Sequence, residues 1–180
     1  MPATDHATTW KALEAISGAI TGSNESANLR MLLWGRDEWP YWYRVLLTQI
    51  HAFTAEAPIE YIASSVRDSR IESDDIYAFT ANLAIHVQVS GLTDADDHQG
   101  ATVRTTAWPR TDLTALTVVD LKPFPLEDSG MEAASRRGLT LELHYGERAA
   151  LRLPLPRLTG NHALESLYPS LLADLTRETA

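Results

Sequence analysis

Three groups of residues in this 180-residue chain have types and spacings that could do chemistry. Asp94, Asp96, Asp97 and His98 place oxygen ligands two apart, as a hard cation such as calcium would require. However, the run has no mid-loop glycine and no closing glutamate, so a solvated hairpin loop is the better reading. His86, His144 and His51, with Glu142 beside His144, could serve as acid–base groups or metal ligands if folding brought them together. Their spacing does not demand it: there is no His-Glu-x-x-His, no Gly-x-Ser-x-Gly and no glycine-rich phosphate loop. No catalytic set, metal site or cofactor is therefore assigned.

The third group is the aromatic run Trp34, Trp39, Tyr41, Trp42 and Tyr43, flanked by Arg36 and Arg44. Trp, Tyr and Arg dominate protein interfaces. They are also the residues by which helices dock on a sheet. A helix over this segment cannot turn Tyr41, Trp42 and Tyr43 to one side, so at least one of them should be exposed. Trp39, Tyr41, Trp42, Tyr43, Arg36 and Arg44 are accordingly the candidate interaction surface, for a protein partner or for self-association.

Composition narrows the classes. Hydrophobic residues make up 44%, enough for a real core. With no cysteine, disulfides, thiolate metal sites and cysteine nucleophiles are excluded. The net charge of −9 argues against nucleic acid and anionic membranes as partners. No apolar run is long enough to span a bilayer, and the start lacks a basic region followed by an apolar core, so a cytoplasmic location is expected.

The elements that must position these residues follow from periodicity. Thr9 reads as an N-cap, with Trp10, Leu13, Ile16 and Ile20 on one helical stripe. A short helix is expected from Ser26 to Trp34. A third starts beside Pro40, with Trp42, Val45, Leu46, Gln49, Ile50 and Phe53 on one face; its density of Val, Ile and aromatics also permits a strand. Past Pro58, Ile59–Val66 reads as a strand and Arg67–Asp74 as a turn. The odd-numbered apolar series Tyr77, Phe79, Ala81, Leu83, Ile85, Val87 and Val89 is too long for one ordinary strand and is read as two joined near Ala81-Asn82, or as one with a sharp bend. Ala101–Trp108 and Leu113–Leu121 are further strands, and 122–138 is loop-like. Leu139, Leu141, Leu143 and Tyr145 alternate, as do Leu151, Leu153 and Leu155. Matching faces requires Leu143 opposite Leu151 and Leu141 opposite Leu153, with a three-residue loop or bulge at Gly146, although Gly146 itself suits a two-residue turn. Pro154 and Pro156 end the second strand or hold it at an edge. From Asn161, Leu164, Leu167, Tyr168, Leu171, Leu172 and Leu175 make a terminal helical stripe.

The expected class is α+β: N-terminal helices over 1–57, then a curled antiparallel sheet and a C-terminal capping helix over 58–180, the two making one compact unit. Over about 59–178 the β part resembles the bacterial PH-like or GRAM-like superfold. The resemblance rests on Tyr77-Ala78-Phe79-Thr80-Ala81-Asn82-Leu83-Ala84-Ile85, a strand–turn–strand with Thr at the bend, and on Trp108-Pro109-Arg110-Thr111-Asp112-Leu113-Thr114-Ala115-Leu116, a proline turn into a strand. It implies a bent seven-stranded barrel closed by a helix, a fold that hosts lipid binding, peptide binding and scaffolding. The leading functional expectation is a non-enzymatic binding or assembly module. The alternatives are a small-ligand-binding protein or small enzyme using His86, His144 or Glu142, and a lipid-headgroup binder using Arg67, Arg70 and Arg104.

Overall fold

The computed structural model describes residues 6–22, 33, 38–55, 57–65, 71–92, 101–120, 139–148, 150–154 and 162–176. Three helices and seven strands are placed among them. They are α1 (His6–Gly22), α2 (Tyr41–Thr54), β1 (Tyr61–Ser64), β2 (Ile71–Phe79), β3 (Leu83–Leu92), β4 (Thr102–Pro109), β5 (Leu113–Asp120), β6 (Thr140–Tyr145), β7 (Leu151–Leu153) and α3 (His162–Thr176), with a 3-10 turn at Arg110–Asp112. The class is α+β. The strands form two antiparallel ladders, β1-β2-β3-β4 and β5-β6-β7, and among the described residues they do not join into one closed barrel. Contacts divide the chain into two compact units, Met1–Trp108 and Pro109–Ala180.

In the first unit, α1 and α2 cover one face of the four-stranded sheet. Leu13, Ile16 and Ile20 of α1 and Trp42, Tyr43, Leu46, Leu47 and Ile50 of α2 form a buried cluster with Ile62, Ile76, Ala78, Ile85, Val87 and Val89. The strand alternative for 42–53 is thereby set aside. The apolar residues of α2 recur at three and four, which only a helix turns to one side. The stripe is rotated from the expected one: Tyr43, Leu47 and Thr54 are buried, Val45 and Gln49 are half-buried and Phe53 is exposed. On α1, Trp10 is 50% exposed and Ser17 is buried, and the helix begins at His6, ahead of the expected cap at Thr9. The expected helix 26–34 lies outside the described residues except for Leu33.

The odd-numbered apolar series is two strands with a tight turn at Thr80–Asn82. Thr80 Oγ1 accepts the backbone N–H groups of Asn82 (3.4 Å) and Leu83 (3.1 Å), and the Thr80 N–H donates to the Leu83 carbonyl at 3.0 Å. The threonine thus supplies locally the acceptor that a reversing backbone needs. The register pairs Ala78 with Ile85 and Tyr77 with His86, so odd residues of β3 share a face with even residues of β2. Ile85 and Val87 join Ile76 and Ala78 under the helices. Tyr77, Phe79, His86 and Tyr61 share the opposite face, because Tyr61 pairs with Phe79. β2 begins at Ile71, inside the segment expected to be a turn; Ile71↔Leu92 and Ser73↔Ser90 extend its ladder with β3. Its polar composition misled because backbone pairing, not a buried side-chain face, continues the strand there.

The second unit carries the expected hairpin register, Leu141↔Leu153 and Leu143↔Leu151. Gly146 has φ +57°, where a Cβ is disfavoured, and the Arg148 N–H closes the turn on the Tyr145 carbonyl at 3.2 Å. β7 stops after Leu153, as the prolines require. The stripe of α3 is narrower than expected: Leu164, Leu167 and Leu171 are buried, while Leu172 is 40% exposed. The fourth buried position is Asp174, one turn beyond Leu171. It bonds Arg110, whose Nε and Nη2 reach Asp174 Oδ2 at 2.8 and 2.7 Å. Arg110 Nη2 also donates to Ser170 Oγ at 2.8 Å, and Ser170 in turn donates to the Leu167 carbonyl at 2.9 Å. A buried guanidinium thus meets a buried carboxylate and a hydroxyl, which is how a charge can be kept away from water.

Candidate functional site

The aromatic segment is positioned by the start of α2. Pro40 caps it: its carbonyl accepts the N–H groups of Tyr43 and Arg44, each at 3.1 Å. With about 100° between successive residues, the three aromatics then point three ways. Tyr41 is 58% exposed, whereas Trp42 and Tyr43 are buried. The expectation that at least one of the three faces out is met by Tyr41. The Tyr43 hydroxyl shares a 3.0 Å hydrogen bond with Ser17 of α1, and burial pushes its phenol up to about 12 against the opposing pull of that bond.

A continuous aromatic path runs from this core to the surface. Trp42 meets Tyr43 edge-on (5.6 Å), Tyr43 meets Trp39 edge-on (6.0 Å), and Trp39 stacks on Trp10 at 4.9 Å and 21°. Trp10 Nε1 donates to Glu14 at 2.7 Å, so its outer edge is anchored although its ring is half exposed. Further along α2, the Arg44 guanidinium carbon lies 5.9 Å from the Tyr41 ring centroid. Tyr41, Arg44, Val45, Thr48 and Gln49 line a shallow depression of about 430 Å³. Gln49 is fixed at its floor, donating to the Val103 carbonyl (3.3 Å) and accepting from Thr105 Oγ1 (2.6 Å). Of the six sequence-assigned surface residues, Tyr41 and Arg44 are exposed, Trp39 is half-buried, and Trp42 and Tyr43 are core. Arg36 lies outside the described residues.

The histidines are placed separately. His86 Nε2 sits 2.6 Å from Asp75 Oδ1, with its ring stacked on Tyr77 (4.5 Å, 6°) and edge-on to Trp108 (6.5 Å). Asp75 was not singled out from sequence. The signal was available: Asp75 and Tyr77 alternate on one face of β2, and a two-strand reading of the apolar series sets His86 opposite Tyr77. Burial pushes the Tyr77 phenol up to about 12, and the Asp75 carboxylate adds to the shift. A phenol that ionises harder in the folded state than in the unfolded one stabilises the fold fully below pH 10. That stabilisation is lost as the pH rises through 12. Alkaline unfolding followed by circular dichroism should therefore set in between those values, and Tyr77→Phe should move the midpoint upward.

His144 Nε2 lies 3.0 Å from Glu142 Oε1 on the partly exposed face of β6, a local pair two residues apart. Arg104 is exposed on β4. The acidic loop 94–98, Arg67 and Arg70 lie outside the described residues. Among the described residues no group of three or more His, Asp or Glu side chains could hold a metal ion, and no helix is long and apolar enough to cross a membrane. Comparison with known proteins finds no matching family model, no matching curated protein and no matching solved structure.

Proposed function

We propose that this chain is a non-enzymatic, cytoplasmic binding or assembly module, with a PH-like β architecture, that engages a protein partner through the outer surface of its N-terminal helices. The observation that carries this reading is the exposed Tyr41 ring with the Arg44 guanidinium beside it, two residues from the half-buried Trp39 that stacks on the half-exposed Trp10. Exposed aromatics with an adjacent Arg, held rigid by a packed core, have the composition of interface hot spots. The PH-like reading is supported by the strand order, four strands and then three followed by a helix, and by Thr80 at the bend of β2–β3.

A second copy of the chain is the first partner to test. Sedimentation velocity over a concentration series should show a dimer that Tyr41→Ser with Arg44→Ser shifts to monomer, while the melting temperature stays nearly unchanged. A wild-type chain that is monomeric throughout would exclude self-association; a variant that melts much earlier would make Tyr41 part of the core.

The alternative of a small-ligand site or small enzyme is favoured by one observation, the 2.6 Å Asp75–His86 pair on a face shared with Tyr77 and Trp108. A carboxylate that orients an imidazole is half of an acid–base device. The pair joins neighbouring strands of one ladder and so also has a purely structural role, which leaves the binding module the better-supported reading.

A further inference from the structure

We infer that the groove between α1 and the end of α2 binds a small amphiphilic carboxylate, with its acid group held by Lys11 and His51 and its apolar body lying along α1. The groove has a volume of about 540 Å³ and is lined by Thr8, Lys11, Ala12, Ala15, Ile16 and Ala19 on one side. These six positions recur at three and four and so form one helical face. His51, Thr54, Ala57, Pro58 and Ile59 supply the opposite side. That wall exists because the chain reverses at the end of α2. Ala55 is left-handed (φ 45°, ψ 44°) with its N–H on the His51 carbonyl, and the Ala57 N–H donates to the Thr54 carbonyl at 2.8 Å.

Charge and hydrogen bonding select the ligand class. The chain has 24 acidic residues against 15 Lys and Arg, yet among the described residues the lining contains no carboxylate, and the two ionisable side chains described there, Lys11 and His51, are basic. The His51 carbonyl is already taken by the Ala55 N–H and by Thr54 Oγ1. Its ring nitrogen Nδ1, by contrast, is enclosed and has no hydrogen-bond partner among the described residues. Enclosed polar atoms are ordinarily paired. Apart from Thr8 and Thr54, the rest of the described lining is alanine, isoleucine and proline, suited to a hydrocarbon or aryl body, and sites of this size with few convergent polar groups are typical of small-ligand binding. An anion fits the lining; a cation of the same shape would meet Lys11.

The test uses the full-length chain with sodium octanoate, 1-octanol and octylammonium chloride, followed by calorimetry and by amide chemical shifts. Octanoate should bind and move the amides of Ala12, Ala15 and His51, and octylammonium should bind at least about tenfold more weakly, the ratio expected when a charge-assisted contact is lost. Lys11→Met should weaken octanoate by a similar factor, and Ala15→Trp, which fills the groove from an exposed helical position, should abolish binding with unchanged circular dichroism. Tyr41→Ser should leave octanoate binding intact, since Tyr41 is not part of this lining, so failure here is separable from failure of the interface reading. The inference is overturned if octanol matches octanoate, if Ala15→Trp still binds, or if octanoate does not bind.

Discussion

Arg110→Ala should lower the stability of the second unit by about 3–5 kcal/mol, because it leaves the Asp174 carboxylate buried without its cation. Both side chains are almost fully enclosed, at 2% and 1% exposure, so water cannot take over the lost bonds. The neighbouring Tyr145 phenol is held well above the usual range chiefly by its own burial, which marks the surroundings as poorly solvated. Replacing both partners, Arg110→Met with Asp174→Leu, should cost far less than either single change, since neither charge is then stranded. The measurement is urea unfolding by far-UV circular dichroism, with native-state hydrogen exchange at Leu141 and Leu143 reporting on the second unit. A loss below about 1 kcal/mol for Arg110→Ala, the range of exposed ion pairs, would show that the pair is solvated. Removing α3 altogether should be worse still. Leu164, Leu167 and Leu171 each contribute about 1.5–3 kcal/mol of burial, and Arg110 would lose Asp174 and Ser170 together.

The residues that gave the fold away were those whose partners are set by period. Leu141, Leu143, Leu151 and Leu153 alternate, and sharing a face left one register to adopt. The break at Ala81-Asn82 followed from strand length, and the helices followed from apolar spacings of three and four. What escaped was polar pairing across sequence. Asp174 occupies a leucine position of the α3 stripe and is admitted there only by Arg110, 64 residues away, which no periodicity connects to it. Asp75 with His86 escaped for a different reason: the two-strand reading already set His86 opposite Tyr77, two residues from Asp75 on the same face, but the apolar series drew attention to the apolar positions alone. Leu172 and Phe53 show the opposite failure: each is apolar and adjacent to a buried position, but a helix turn is wider than the core it faces, and the flanking residue is left in water. At the candidate surface, sequence identified the segment and the need for an outward ring. It could not decide which rings were core, because that depends on how α1 crosses α2 and on the Ser17–Tyr43 bond.

Trp42→Ala should be the most damaging single change in the first unit, costing about 3–5 kcal/mol, as large-to-small substitutions of buried aromatics do. Trp42 is 1% exposed and packs edge-on against Tyr43 within the cluster that joins both helices to the sheet. Its removal would therefore leave a cavity at a junction of three elements that cannot all close in. Tyr41→Ala, one residue earlier on the same helix, should change stability by less than about 0.5 kcal/mol, the usual range for a surface position. Trp42→Phe separates size from polarity. The Trp42 Nε1 atom is enclosed and has no hydrogen-bond partner among the described residues. Phenylalanine removes that donor while keeping an aromatic ring, and so offsets part of the lost volume. It should therefore cost well under half of what alanine costs. Tryptophan fluorescence is a poor reporter because the reporter itself is changed; thermal and urea unfolding by circular dichroism should be used. Equal losses for Trp42→Ala and Tyr41→Ala would place Trp42 at the surface and remove the ground for assigning Tyr41, and not its neighbours, to the partner face.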